Sequence, residues 1–532
     1  MAQTTRPTFL ATNGMVSSPH YLASAAGLGV LQDGGTAVDA VIAVNAALGV
    51  VYPHMTGMGG DAFWLIHDSA SGRTHALNGS GRAAAAALPK FYYQQRHEAI
   101  PSRGPLSAVT VPGAVDSWCE AHAHFGHLAL TRILEPAIRY AREGYPVSVG
   151  QSEFTRATAE SLQQHAATRN TFMPEGRIPE PGEIMRLPRL AETMEAVAQS
   201  GRAGFYEGAV AADIVRSLLA AGGLWGPRDL SEHASTWEWP LASDYRGYTC
   251  YQHPPNSQGF AHQMILNILE QFDVARMDDH SAEYVHLVVE ATKLAFRDRD
   301  RYLTDPDALD IPLERLLSKD YAAELKQEVS ASAQFPRATA MGQDTTCTVA
   351  VDRWGNAVSM IQSLYHEFGS CFVTDESGVL LQNRGSFFSL DEAHVNCLAP
   401  GKRTFHTLMP GMLFKDGRPE LVYGTMGGEG QPQTSTVLVN RYVDFQQGVQ
   451  TAIDRPRWLF GRMWGENTQA LRIESRFPTQ SVDALMTRGH EVEVLEPWSA
   501  VVGHAAAIRI DRANGVFGGG ADPRGEGVAL GW

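Results

Sequence analysis

Residues 344–370 read DTTCTVAVDRWGNAVSMIQSLYHEFGS. Two β-rich stretches, 345–351 and 357–362, flank the turn sequence Asp352-Arg353-Trp354-Gly355-Asn356, and this spacing predicts a β-hairpin. The preceding FPRATAMGQD, 335–344, lacks a hydrophobic period and predicts an exposed loop, so Thr345 opens a strand directly after a loop. If the peptide bond between Asp344 and Thr345 is cut, Thr345 becomes a chain start. Its hydroxyl can then attack a carbonyl while its own α-amine, titrating near roughly 7.7–8.0, takes the proton. Without that cut, Thr345 is one more β-branched residue in a strand. Cys347, two residues on, shares the face of Thr345 and reads as a small buried strand residue rather than a reactive thiol.

Working outward, Phe414-Lys415-Asp416-Gly417 predicts a second hairpin, with helices returning after Gln431. Upstream, residues 17–31 read as a small-residue helix. Thr36 with Asp39 forms a capping box ahead of the apolar run 37–52. The glycine loop Thr56-Gly57-Met58-Gly59-Gly60-Asp61 then leads into a strand at 62–66. It brings backbone close to something, but it is not a phosphate loop, because GxxxxGK[ST] is missing. Residues 107–113 predict a strand, and 131–145, 260–272 and 281–303 predict helices. The run Arg297-Asp298-Arg299-Asp300-Arg301 reads as a solvated helix face. Met58, Met409 and Met426 read as core filling, and Trp354 as packing at a hairpin.

The chain has 532 residues, 44% hydrophobic and 19% charged, with a formal net charge of −15. A core of this size excludes global disorder. The acidic balance argues against nucleic acid or an anionic membrane as partner, both of which need clustered basic charge. The five cysteines, Cys119, Cys250, Cys347, Cys371 and Cys397, form no CxxC. The N-terminal stretch lacks the pattern of a secretory signal, and the apolar run 37–52 is short of a membrane span. A cytoplasmic protein in a reducing compartment is expected. No His/Cys/Asp/Glu set has metal-ligand spacing.

The motif set resembles the γ-glutamyltransferase family of N-terminal-nucleophile hydrolases. It comprises DGGTAVDAVIAVNAALGVVYPHMTGMGGDAF (33–63), VTVPGAVDSW (109–118), EPAIRYAREGYPVS (135–148), PPNSQG (254–259), the 345–370 block, SGVLLQNRGSFFSL (377–390), PGKRTFHTLMPGM (400–412), GTMGGEGQPQ (424–433) and RPRW (455–458). The resemblance implies an α+β fold, a four-layer αββα sandwich. It also implies a proenzyme that cuts itself between Asp344 and Thr345 into a large chain, 1–344, and a small chain, 345–532. These would form one intertwined heterodimer, or a dimer of such heterodimers. Thr345 is then the implied nucleophile, supported by Thr346. Ser363 matches the hydroxyl residue that contacts the new α-amine, and Gly427-Gly428 match the oxyanion donors. No cofactor or metal is implied.

The pocket residues depart from the family pattern. The family arginine for a substrate α-carboxylate lies in a block matching Asn78-Gly79-Ser80-Gly81-Arg82-Ala83-Ala84, with Arg82 two positions off. Two carboxylate-holding serines become His406-Thr407, and an asparagine becomes Tyr365. The glutamine and aspartate for the α-amine fall near Arg384 and Phe387. An acidic partner is lost and a positive donor gained, which favours a substrate with a carboxylate and no ammonium. NRG..FSL and PGKR.FHT resemble the transferase-like hydrolase side branch, and within it SLYHEFGS (363–370) and GGEGQPQ (427–433) resemble the oxamate amidohydrolases, implying hydrolysis of a small anionic amide, oxamate first. Arg384, Arg82, His366 and His406 are the candidates for its carboxylate, with Thr407 and Tyr365 beside them. The alternatives are glutathione hydrolysis or γ-glutamyl transfer, then a glutaryl- or cephalosporin-acylase-like activity, then an unprocessed inactive relative.

Overall fold

The structure is a computed structural model that describes residues 5–334, 344–461 and 468–532. Its centre is the expected hairpin, strands Asp344–Val351 and Ala357–Tyr365. Asp352 closes the turn: Oδ1 accepts from the amides of Trp354 and Asn356, each at 3.0 Å. Oδ2 accepts from Asn356 Nδ2 at 2.8 Å and from the amide of Ala37 at 2.9 Å. One carboxylate thus joins the hairpin to the first turn of a helix more than 300 residues away.

That hairpin lies inside a seven-stranded sheet ordered Val528–Gly531, Met15–Ser18, Asp344–Val351, Ala357–Tyr365, Asp61–Asp68, Arg73–Gly79, Thr236–Glu238. A second sheet runs Phe9–Ala11, Val516–Ala521, Ala505–Asp511, Arg418–Thr425, Gly411–Lys415, Tyr248–Gln252, Leu241–Tyr245. Both sheets draw strands from either side of the Asp344–Thr345 bond. The two inner faces meet in one apolar layer that includes Phe63, Leu65, Cys347, Val349, Ile361, Met412, Val422 and Ile508. Strand alternation explains this, since Cys347, Val349 and Val351 point to the facing sheet. Thr348 points to the helices, where its hydroxyl meets Asn45 Nδ2 at 3.3 Å.

Helices cover both outer faces. Tyr21–Gln32, Ala37–Val51 and Ala114–Phe125 pack on the hairpin sheet. Gly259–Leu269, Gln431–Val443 and Val449–Asp454 pack on the other, with Ala282–Tyr302 behind them. The order is helix, sheet, sheet, helix. Thr36 and Asp39 form the expected capping box, and the apolar run is a helix buried along its whole length rather than a span. Among the described residues no helix is long and apolar enough to cross a membrane.

Three expectations change. Residues 107–113 are not a strand: a short 3-10 turn at Pro105–Ser107 leads into an isolated bridge between Thr110 and Ala83, because Pro112 and Gly113 cannot extend a ladder. The charge run at 297–301 is not a uniformly solvated face, since Arg299 is 1% exposed. The last three sheet strands, Ala505–Asp511, Val516–Ala521 and Val528–Gly531, follow the helix-rich stretch after Gln431 without a clear sequence signal. The loop expected at 335–344 lies outside the described residues up to 343.

Candidate active site

Thr345 is the second residue of the hairpin strand, at an irregularity in register between Asp344 and Thr346. It is buried, and its hydroxyl lies 3.5 Å from Ser363 Oγ. Ser363 Oγ also accepts the amide of Tyr365 at 2.8 Å. The hydroxyl of Thr346 donates to the Gln362 carbonyl at 3.0 Å. It braces the strand pair next to Thr345.

The glycine loop performs the close approach its sequence suggested. A Cβ on Gly60 would meet the Ser363 carbonyl oxygen at 2.2 Å, and one on Gly59 the Leu380 carbonyl oxygen at 2.1 Å. Only glycine lets this backbone lie flat on both segments. The Gln382 amide then donates to the Gly59 carbonyl at 2.9 Å. This docks the segment 382–384 beside Ser363, so Asp61 and Arg384 arrive at the same place. Asp61 is the register partner of Ser363 across the sheet.

Arg384 is 1% exposed. Its Cζ lies 4.0 Å from the Tyr365 ring centroid, and its Nη2 donates to Thr407 Oγ1 at 3.3 Å. Nε and Nη1 are buried with no hydrogen-bond partner among the described residues. Burial pushes its pKa down to about 10, with Tyr365 and Asp61 pulling upward. Tyr365 supports the guanidinium from a left-handed backbone, φ 87°, a conformation costing about 1–3 kcal/mol that surrounding structure must hold.

Asp61 was not a sequence candidate; only its place at the end of the glycine loop marked it. Oδ1 accepts from the Gly81 and Gly113 amides at 3.1 and 3.2 Å and from Gln382 Nε2 at 2.9 Å. Oδ2 meets His406 Nε2 at 3.1 Å. Burial pushes its pKa up to about 6, while Gln382, the Arg384 charge and the two amides draw it down. The carboxylate is therefore mostly ionised at neutral pH. Burial holds His406 well below the usual histidine range, with the Arg384 charge adding to it. The ring is neutral, so the contact is a hydrogen bond to a carboxylate in which Nε2–H donates. His406 Nδ1 keeps its lone pair and has no partner among the described residues.

His366 stacks on Tyr365 at 4.4 Å. Its pKa is pushed down to about 3, first by burial and then by Arg103 and Arg384. A neutral His366 and an Asp61-bound His406 bring no positive charge to a carboxylate, though His366 Nε2, buried without a hydrogen-bond partner among the described residues, can still offer it an N–H. Arg82 already has acidic partners within the chain. Its guanidinium, with 39% side-chain exposure, meets Asp305 at 3.2 Å and Asp307 at 2.8 Å.

The glycine turn belongs to the facing sheet. Ser359 Oγ donates to the Tyr423 carbonyl at 2.8 Å, and a Cβ on Gly424 would meet Cys347 Sγ at 2.6 Å. Strand Arg418–Thr425 therefore runs toward the Thr345 end, and Gly427 (φ 127°) and Gly428 (φ 51°) follow it. Gln258 Nε2 donates to the Gly428 carbonyl and to the Thr407 carbonyl, both at 2.9 Å. Gln258 Oε1 accepts from Arg299 Nη1 at 3.0 Å, and Arg299 Nη2 reaches Glu429 at 2.6 Å. The buried member of the charge run thus braces the glycine turn. Removing one partner of a buried ion pair costs about 3–5 kcal/mol, so Arg299→Met is expected to lower unfolding stability by that order. Urea denaturation checks this, and a loss below about 1 kcal/mol would contradict the bracing role, since exposed pairs contribute no more than that. Burial pushes the Cys347 thiol far up, consistent with a structural residue.

A sequence model of the family described as Gamma-glutamyltranspeptidase matches residues 23–532. The chain is 48% identical over 522 residues to the glutathione hydrolase-like YwrD proenzyme of Bacillus subtilis (strain 168), covering 98% of this chain and 99% of that one. It is 41% identical over 530 residues to the oxamate amidohydrolase proenzyme of Klebsiella pneumoniae subsp. pneumoniae, with 98% and 99% covered. The crystal structure of cephalosporin acylase from Bacillus halodurans shares its fold with a TM-score of 0.94 at 37% identity, over 100% of this chain and 98% of that one. With its four-layer αββα sandwich of the N-terminal-nucleophile hydrolase type and this end-to-end likeness, the chain belongs to the gamma-glutamyltranspeptidase family.

Proposed function

We propose that this protein is a self-processing amidohydrolase whose nucleophile is Thr345 and whose substrate is a small carboxylate-bearing amide without an ammonium group, oxamate first. The observation that carries the substrate class is Arg384, a buried guanidinium whose Nε and Nη1 have no partner among the described residues, in the same cluster as Thr345 and Ser363. A planar carboxylate satisfies two such donors at once. Both oxygens of Asp61 are engaged, which leaves that acid poorly placed to hold a substrate ammonium.

In processing, the Thr345 hydroxyl adds to the Asp344 carbonyl and the C–N bond breaks. The chain passes through an ester on Thr345 that water hydrolyses. The products are a carboxylate on Asp344 and a free α-amine on Thr345, in two chains, 1–344 and 345–532, that stay interleaved through the two sheets. In turnover, Thr345 Oγ adds to the substrate amide carbonyl while the α-amine takes its proton, with Ser363 Oγ orienting that amine. The Gly427 and Gly428 amides receive the oxyanion, each such donor being worth about 10²–10³ in rate. The C–N bond then breaks, ammonia leaves with the returned proton, and water releases the acyl group as a second carboxylate. For oxamate the products are oxalate and ammonia.

Glutathione hydrolysis is the second reading, favoured by the likeness to the YwrD-type relative. A glutaryl-type acylase is third, favoured by the acylase neighbour; its acyl group also lacks the amine. The test sets ammonia release from oxamate against chromophore release from a γ-glutamyl anilide at matched concentrations. Oxamate is expected to be turned over at least about tenfold faster, the discrimination a site gains when its buried polar groups are matched rather than left unpaired. A clear preference for the anilide would reject the pocket assignment while leaving Thr345 as nucleophile.

A further inference from the structure

We infer that His286, Glu290 and His490 form a binding site for a divalent transition-metal ion, with Zn2+ as the fitting case. The site is outside the Thr345 cluster and independent of the proposed reaction. One ligand atom from each of the three side chains lies within 4.8 Å of the other two, and all three residues are buried. His286 and Glu290 are one turn apart on helix Ala282–Tyr302 and so share a face. His490 comes from the segment after helix Thr479–Thr487, where its amide is held by the Leu485 carbonyl at 3.1 Å. No spacing rule joins residues 204 positions apart, so the sequence could not display the set.

The hydrogen bonding fixes the tautomer a metal needs. His286 Nε2 lies 2.8 Å from the Ser330 carbonyl oxygen. A carbonyl only accepts, so Nε2 carries the proton and Nδ1 carries the lone pair. Metal-ligating histidines are oriented in this way, the far N–H donating to a backbone carbonyl. That Nδ1 is 2.8 Å from His490 Nε2, and the two rings stand at 73°. In the metal-free arrangement His490 Nε2–H therefore donates to His286 Nδ1. A cation displaces that one proton to His490 Nδ1 and takes both imidazole lone pairs after a small separation of the rings. A third ligand comes from a Glu290 oxygen. Two imidazoles and a carboxylate suit Zn2+ rather than Mg2+ or Ca2+, which prefer all-oxygen sets.

Arg488 and Lys293 both set a positive charge against the two imidazoles, and Lys293 is the one paired with a candidate ligand. Its Nζ is 2.6 Å from Glu290 Oε1 and 2.6 Å from the Gln334 carbonyl oxygen. Its charge weakens cation binding without occupying either imidazole. The other acidic cluster, Asp278-Asp279-His280, is a poor alternative because Arg441 and Arg455 already bind Asp279.

The experiment is titration of chelator-treated full-length protein with Co2+, read by visible absorption and then displaced by Zn2+, alongside Zn2+ calorimetry. One equivalent per chain is expected. Loss of outer-shell partners alone costs about 10–100-fold in metal affinity, so His490→Ala and Glu290→Gln are each expected to weaken binding by at least about that much. Lys293→Met keeps every ligand and removes the opposing charge, so binding is expected to tighten about tenfold or more. The site is rejected if the wild-type protein takes up no metal, if uptake is the same in His490→Ala, or if Lys293→Met binds no more tightly. The Lys293 arm decides the matter even where an alanine variant fails to fold.

Discussion

Thr345→Ala is expected to yield a single polypeptide that never separates into two chains and hydrolyses no amide. Both outcomes follow from one atom. The hydroxyl is the group that adds to the Asp344 carbonyl, and the same oxygen adds to substrate once the α-amine behind it is free. Removing a nucleophile from such a unit typically costs about 10⁴-fold or more, which takes both reactions below ordinary detection. Thr345→Ser keeps the oxygen and is expected to retain part of each. A denaturing gel followed over hours, mass spectrometry of the fragments and ammonia release together check this. Fragments that begin at 345 in the alanine variant, or full turnover by it, would remove Thr345 from the mechanism. Thr346→Ala is expected to be milder, because the Thr346 hydroxyl bonds the Gln362 carbonyl on the helix side of the strand.

Arg384→Met is expected to separate substrate recognition from bond breaking. Two charge-assisted hydrogen bonds at about 1.5–3 kcal/mol each correspond to a loss of roughly 10²–10⁴ in kcat/KM for a carboxylate-bearing amide. Turnover of an uncharged amide of the same size is expected to fall less than about tenfold, since only bonds to the carboxylate are lost. Self-cleavage is expected to survive, because its acyl group is the Asp344 residue of the chain itself. Arg384→Lys keeps the charge but not the two parallel donors, so it should recover only part of the loss. The variant also leaves Asp61 without the facing guanidinium, which raises the carboxyl pKa further above its already elevated value near 6. A ratio of anionic to neutral substrate unchanged from wild type would show that Arg384 is not the carboxylate partner.

The central hairpin was legible because its signals are local. Alternation at 345–351 and a D..GN turn specify two strands and their connection within about 20 residues, and the structure gives Asp344–Val351 and Ala357–Tyr365. The capping box at Thr36 was legible for the same reason, as was the close approach of the glycine loop. Residues 107–113 misled, since Val109 and Val111 have strand chemistry but Pro112 and Gly113 end any ladder. Arg299 misled in the opposite way. In sequence it is one charge among five, and only the packing of its helix against Glu429 and Gln258 takes it out of water.

Sequence alone determined the family fold, the hairpin that starts at Thr345, and the glycines that can approach a carbonyl closely. These depend on backbone period, chain stiffness and the missing Cβ, all properties of neighbouring residues. Tertiary structure alone decided which charges are free to act. Arg82, Arg299 and Arg384 are the same residue type, yet one is held by a buried and an exposed aspartate, one braces a turn, and one keeps two buried donors unsatisfied among the described residues. That choice is made by desolvation and by partners hundreds of residues away, and neither is written in the local pattern of the chain.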